Sequence, residues 1–325
     1  MTSRSILAAF AAALLVWAAP ARAADRAEAR RQFDQARALH LRGEFKESLR
    51  TVNDALGADK DLGPAYELRA RLWYVFADPT RQTQDAQRTL ALIEGSSLDA
   101  EELEALGGAQ LLMGQKAKAL ETLNSAVQAS PRPANALAAR SRAWRELGEN
   151  AKAVADLDKA LKADPQAALW FYARARARYE MSEDAKAVAD LTQALRINKS
   201  FPIAYGLLGA ALARQGDFAR GMKAYDRALD LDPEYSFAYL GRAAIHLRLG
   251  SEAAALDEFE KAVHADAQHY APYFNRGEMH WRAGRRALGC DTKPKETTTP
   301  SVTATAATIS PACSGTFPRR TRVAA

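Results

Sequence analysis

AKAVADLDKALKADP at residues 151–165 returns as AKAVADLTQALRINK at 185–199, the two runs starting 34 residues apart. A single globular core has no reason to spell one amphipathic phrase twice. A stack of small units does, because each unit alone cannot bury its apolar face. Taking Pro202 to Tyr235 as one unit, PIAYGLLGAALARQGDFARGMKAYDRALDLDPEY, the same frame fits 100–133, 134–167, 168–201 and 236–269 without insertion.

Within that frame, residue size follows position. Small residues hold the eighth place (Gly107, Ser141, Ala175, Gly209, Ala243, Gly277), the twentieth (Ala119, Ala153, Ala187, Gly221, Ala255) and the twenty-seventh (Ala126, Ala160, Ala194, Ala228, Ala262). Larger side chains hold the twenty-fourth: Leu123, Leu157, Leu191, Tyr225 and Phe259. Gly114, Gly148, Gly216 and Gly250 stand fifteenth, where a helix ends and the chain turns. Pro131, Pro165 and Pro233 stand thirty-second and close a second helix. Each unit is therefore expected to be a helical hairpin.

The pattern resembles the tetratricopeptide repeat, carried by Tyr205, Leu208-Gly209, Gly221, Tyr225, Ala228 and Pro233. The resemblance implies an all-α, right-handed superhelical solenoid of helix-turn-helix repeats. It extends upstream to 29–62 through Ala36, Gly43, Phe45, Ser48 and Ala55, and to 63–99, a longer unit with DPTRQTQ (78–84) where a short turn is expected. Downstream, 270–284 reads as the first helix of an eighth unit. The array is thus expected to span 24–284.

Both ends differ from it. Arg4, the apolar run Ile6–Ala19 and Ala21-Arg22-Ala23 read as a signal peptide over 1–23, too short for a membrane span of about 20 residues. Export to a periplasm or secretion, with cleavage near Ala23, is the expectation, and no other segment is long and apolar enough to span a bilayer. After residue 284 the helical period stops, and nine of the sixteen threonines fall in the last 35 residues. Residues 285–325 read either as a disordered tail or as the product of a reading-frame shift near Arg286. Both cysteines, Cys290 and Cys313, lie there, so the body is expected to fold without disulfides.

The net charge of +6 is also terminal in origin. Residues 24–284 carry 36 basic and 37 acidic side chains, which argues against a nucleic-acid surface. Charge inside the frame is patterned instead. Arg140, Arg174 and Arg242 stand seventh, and Asp156, Asp190 and Glu258 follow sixteen residues later; where the seventh is Leu106 or Leu208, the later residue is Thr122 or Ala224. That covariation predicts arginine–carboxylate pairs between the two helices of a hairpin. Arg178, at a usually apolar place, has no counterpart in the pattern.

Catalysis has no signature here: no nucleophile elbow, no phosphate-cradling glycine loop, no nucleophile with an evident base. His264, His269 and His280 lack metal-ligand spacing, and His246 and His280 share the eleventh place, where packing between helices is expected. No catalytic residue, metal or cofactor is expected.

A groove remains. The resemblance implies that positions two, five, nine and twelve line a concave face, and five, nine and twelve do share one helical face. In the fourth and fifth repeats these positions hold Arg142, Arg145, Tyr172, Arg176 and Tyr179, suited to an acidic or carboxylate-ended peptide, with Glu146 and Glu180 close enough to neutralise the arginines. Phe237, Phe274 and Trp281 fall on the same face and would suit an apolar anchor. The Lys-Asn pairs with which some family members clamp a chaperone's terminal carboxylate are absent. Two functions follow: a noncatalytic scaffold or assembly factor of the cell envelope that binds a protein or peptide, or the accessory repeat region of an envelope enzyme, for instance a glycan-acting one, whose catalytic domain is missing from this chain.

Overall fold

The computed structural model describes residues 3–93 and 97–265, with 3–22 as helical backbone only. Fourteen helices and no strand occur among the described residues. They fall into two compact units, Met1–Phe201 and Pro202–Ala325. Unit 1 holds α1 (Ser3–Arg42), α2 (Phe45–Ala58), α3 (Gly63–Val75), α4 (Pro79–Leu92), α5 (Ala100–Leu112), α6 (Lys116–Ala129), α7 (Ala134–Glu146), α8 (Asn150–Ala163), α9 (Ala168–Glu180) and α10 (Asp184–Ile197). Unit 2 holds α11 (Pro202–Arg214), α12 (Phe218–Leu231), α13 (Ser236–Arg248) and α14 (Glu252–Ala265). Each unit is a stack of antiparallel hairpins joined at a helical repeat, so the all-α solenoid class holds. The readings for 270–284 and for the tail, with Phe274, Trp281 and both cysteines, lie outside the described residues.

The turn inside each hairpin is the most regular feature. Among the described residues, all seven with positive φ stand at position fifteen: Gly43, Ala77, Gly114, Gly148, Ser182, Gly216 and Gly250. The left-handed residue lets the next amide reach back to a carbonyl of the finished helix, as Glu44 N does to Leu39 O (3.0 Å) and Ser251 N to His246 O (2.8 Å). Ala77 (φ 53°) and Ser182 (φ 60°) make the same turn against the Cβ penalty.

Close approach explains the small residues. A Cβ on Gly107 would lie 2.6 Å from Leu123 Cγ, and one on Gly209 would lie 2.8 Å from Tyr225 Cε1, so the eighth and twenty-fourth positions pack as knob and hole. Leu123, Leu157 and Leu191 are buried in unit 1, and Tyr225 and Phe259 in unit 2. The second repeat departs from expectation at one place. Residues 78–84 hold no enlarged turn: Asp78 caps α4 by accepting Arg81 N (2.9 Å), and α3 and α4 occupy the same frame positions as α5 and α6. The three additional residues fall instead between Leu92 and Ala100. There Asp99 and Glu102 form a capping box that starts α5 afresh.

α1 contributes more than the first hairpin of unit 1. It packs against α9 as well as α2. Its Leu41 joins the apolar cluster of Leu137, Leu157, Leu161 and Trp170, contributed by the fourth and fifth repeats. No helix among the described residues is long and apolar enough to cross a membrane.

Candidate interaction site

Two sets of arginines differ in what surrounds them. The seventh-position set forms the predicted pairs: Arg140 Nε and Nη2 donate to the two Asp156 oxygens (2.8 and 2.7 Å), and Arg174 does the same to Asp190 (3.0 and 2.6 Å). Arg242 Nη2 donates to Glu258 Oε1 (2.9 Å). The sequence reading missed a fourth pair, Arg69 with Asp85 (2.7 and 2.8 Å), in the repeat it took as irregular. It also missed a third partner. Each arginine uses Nη1 on a residue sixteen places earlier, in the preceding hairpin: Asn53 (2.9 Å), Asn124 (3.0 Å), Asp158 (2.6 Å) and Asp226 (3.0 Å). One guanidinium thus ties three helices. Arg178 finds its explanation here, donating to Asp190 Oδ2 (2.8 Å), as Trp73 Nε1 does to Asp85 Oδ2 (3.0 Å). Position eleven reaches position twenty-three.

The second set lies on the inner face of the first helices of unit 1. α1, α3, α5, α7 and α9 bring positions two, five, nine and twelve of five repeats together. Arg30 of α1 meets Glu101 of α5 in a two-pronged bond (2.7 and 2.6 Å), and Arg37 donates to the same carboxylate (2.7 Å) while lying 3.7 Å from Glu104. Glu67 of α3 pairs with Arg71 (3.1 Å) and with Arg142 of α7 (3.6 Å). It crosses α5 at Gly108, where a Cβ would fall onto its carboxylate, 2.7 Å from Cδ. The sequence reading named none of these partners of Arg142, although the same four frame positions in the first three repeats point to them.

The five predicted residues are gathered on α7 and α9, and most are engaged internally. Arg145 reaches Glu146 (2.8 Å) and Glu180 (3.4 Å), and Arg176 lies 3.5 Å from Glu180. Tyr172 packs on Phe201, ring centroids 5.5 Å apart, and Tyr179 is half-buried. Phe237, in unit 2, is exposed beside Tyr235, their rings 5.8 Å apart.

Desolvation dominates the electrostatics. Burial, then the neighbouring Arg71, lowers the Arg142 pKa to about 10 against the pull of Glu67, although 28% of its side chain remains accessible. Burial raises the Tyr172 pKa, with Arg176 opposing. Burial works against the charge of Arg176 too, but Tyr172, Tyr74 and Glu180 outweigh it and raise its pKa. His40 is buried, and burial together with Arg71, Arg142 and Arg37 holds it well below the usual histidine range, hence neutral. Burial raises Glu104, offset by Arg37 and Arg71. The balance of the face follows: at the four positions of five repeats stand six arginines (30, 37, 71, 142, 145 and 176) and three glutamates (67, 101 and 104). No group of three or more metal-ligating side chains occurs among the described residues.

Hairpins stacked so that side chains of successive first helices meet on one inner face define a repeat scaffold for protein interaction. A family model for the tetratricopeptide repeat matches residues 81–168, 172–236 and 215–270, more than half of the sequence, and the chain belongs to that family. No curated protein matches it. Among solved structures it is similar to Cut9–Hcn1, an APC/C hetero-tetramer (TM-score 0.62, 13% identity, 79% of this chain and 50% of that one). A tetratricopeptide repeat protein from Parabacteroides merdae aligns with a TM-score of 0.52 and 19% identity, over 70% of this chain and 89% of its own. MamA aligns at 0.45 and 21% identity, over 49% of this chain and 94% of its own. At these identities the likeness is one of fold.

Proposed function

We propose that the protein is a noncatalytic scaffold or assembly factor of the cell envelope, and that the inner face of unit 1 takes an acidic or carboxylate-ended segment of a protein partner. The concentration of arginine at the four inner positions carries the reading. The body as a whole is balanced, whereas these four positions hold six arginines and three glutamates among Tyr74, Tyr172 and Tyr179, with Asp34, Glu146 and Glu180 at flanking positions pairing with Arg30, Arg145 and Arg176. Arg145 is taken by Glu146 and Glu180, but Arg176 meets Glu180 only through Nε at 3.5 Å, a long contact that an incoming carboxylate can replace. Envelope location rests on the apolar N-terminal run and the small residues before Ala24.

The test is capture from the producing organism's envelope extract by the full chain, beside an Arg142→Ala/Arg176→Ala variant with unchanged circular dichroism. The expected result is a partner held by the parent, lost by the variant and competed off by a hexaglutamate peptide. A partner held equally by both would remove the inner face from the reading. Fractionation and N-terminal sequencing check location, with Ala24 the expected new terminus.

A further inference from the structure

Repeat arrays are held together by contacts between neighbours, each hairpin resting on the next. Unit 1 also contains contacts that skip repeats, and one of them spans four. The turn that ends α1 touches the end of α10, four repeats away. Asn198 Nδ2 donates to Arg42 O (2.8 Å) across 156 residues of sequence. Gly43 sits so close that a Cβ there would be 3.1 Å from Asn198 Nδ2 and 3.2 Å from the Phe201 ring. Phe201, fully buried, takes the edge of Phe45 (5.6 Å, 74° between planes) on one side and Tyr172 (5.5 Å) on the other, and His40 stacks behind Phe45 (5.5 Å).

We propose that this contact is a latch: docking of the α1–α2 turn on Asn198 and Phe201 closes the inner face of unit 1, and an acidic partner binds the unlatched form. The proposal rests on the reading of that face as the binding surface and adds its regulation. Two observations support it. First, the contact lies outside the stacking of hairpin on adjacent hairpin, so opening it exposes Leu41, Phe45 and Phe201 but leaves each hairpin its neighbours. Second, closure commits the residues that an acidic ligand would use. Tyr172 is packed on the latch residue Phe201, Arg142 is held by Glu67, and Arg37, one turn before the latch, is held by Glu101. In the closed form a ligand carboxylate must displace an internal one at each arginine. When α1 swings away Arg30 and Arg37 leave Glu101, and their forks become free for the ligand's carboxylates. A ligand that prefers the open form gains apparent affinity in proportion to the open fraction.

A disulfide lock tests this. In a Cys290→Ser/Cys313→Ser background, Arg42→Cys with Asn198→Cys joins the two sides of the latch when oxidised and frees them when reduced. The probe is a fluorescein-labelled hexaglutamate peptide followed by anisotropy. The oxidised chain is expected to bind at least about tenfold more weakly than the same sample after reduction, and Asn198→Ala, which only removes a hydrogen bond, to bind more tightly than the parent. Equal binding by oxidised and reduced chains overturns the latch while leaving the acidic-ligand reading standing. Absence of binding by the reduced chain and by Asn198→Ala overturns both. Failure of the two cysteines to join under oxidation in a folded chain overturns the latch on geometry alone.

Discussion

Removing the arginine from the fourth repeat should cost more than removing it from the fifth. Asp156 and Asp190 are both buried (4% and 3% exposed) and occupy the same frame position. Among the described residues Asp156 is bonded by Arg140 alone, whereas Asp190 has Arg174 and, from one turn further along α9, Arg178. Arg140→Leu therefore strands a buried carboxylate, a loss of about 3–5 kcal/mol for breaking such a pair, offset by about 1 kcal/mol from the added apolar burial. Arg174→Leu leaves the Arg178 bond at 2.8 Å and removes a contact to the half-exposed Asp158, so about 1–2 kcal/mol is expected. Adding Asp156→Ala to Arg140→Leu should recover roughly 2 kcal/mol, because the orphaned charge is gone, whereas adding Asp190→Ala to Arg174→Leu should recover nothing, because it leaves Arg178 without its carboxylate. Urea unfolding followed by circular dichroism gives the totals. Hydrogen exchange read on α7–α8 and on α9–α10 assigns them, since a repeat array need not unfold as one unit. Equal losses from the two single substitutions, or an Arg140→Leu/Asp156→Ala variant less stable than Arg140→Leu, would refute the reasoning.

Three further outcomes follow from local geometry. Ser182→Gly and Ala77→Gly remove a Cβ from left-handed turns and should each stabilise by about 0.5–1 kcal/mol, while Gly148→Ala (φ 80°) should lose about as much; thermal melts decide. Gly108→Ala drives a methyl into Glu67 and should cost about 1–3 kcal/mol, whereas Gly57→Ala, helical with nothing within 4 Å, should gain about 0.5–1 kcal/mol. His40 faces Arg37 on its own helix, Arg71 on α3 and Arg142 on α7, and is neutral in the fold with its pKa well below 6.5. Below pH 6.5 the unfolded chain takes up a proton that the native chain refuses, so stability present above pH 6.5 falls with acidification by up to about 1.4 kcal/mol per unit. Glu104, raised by burial, contributes the opposite slope, its cost easing as pH drops toward 4.5. The difference between parent and His40→Gln isolates the histidine, and parallel pH curves for the two chains would sink this prediction.

How much of this was legible depended on whether partners shared a period. The hairpin, the fifteenth-position turn and the pairs at i and i+16 lie inside one 34-residue frame, so comparing repeats exposed them. The preceding-hairpin partner stayed hidden because it is an amide in two repeats (Asn53, Asn124) and a carboxylate in two (Asp158, Asp226) and carries no single signature. Arg69 and Asp85 obey the same spacing, but the longer 63–99 unit drew attention to its loop. The inner face was legible by rule and only partly read: Glu101 stands at position two and Glu67 and Glu104 at position five, within the same set of four positions that carries the arginines they hold. The contact of Arg42 with Asn198 had no such route. It joins non-equivalent positions of repeats one and five, and depends on how tightly successive hairpins rotate, which no single repeat encodes.

One residue type thus performs two tasks, and position separates them. At position seven an arginine meets its own hairpin's acid and an acceptor from the hairpin before it, so its charge is spent on joining helices. At position nine, Arg37, Arg71, Arg142 and Arg176 face the interior of the stack and share three inner-face glutamates and Glu180 with Arg30 and Arg145. A neutral body can therefore hold a local cationic face without any change in overall composition. The sharing also sets what such a face would select. A single carboxylate gains little over the glutamate it displaces, whereas a segment presenting several at helical-repeat spacing replaces the whole set at once and recovers the ordering cost only once. An extended acidic segment lying across α3, α7 and α9 meets that condition, and an isolated small anion does not.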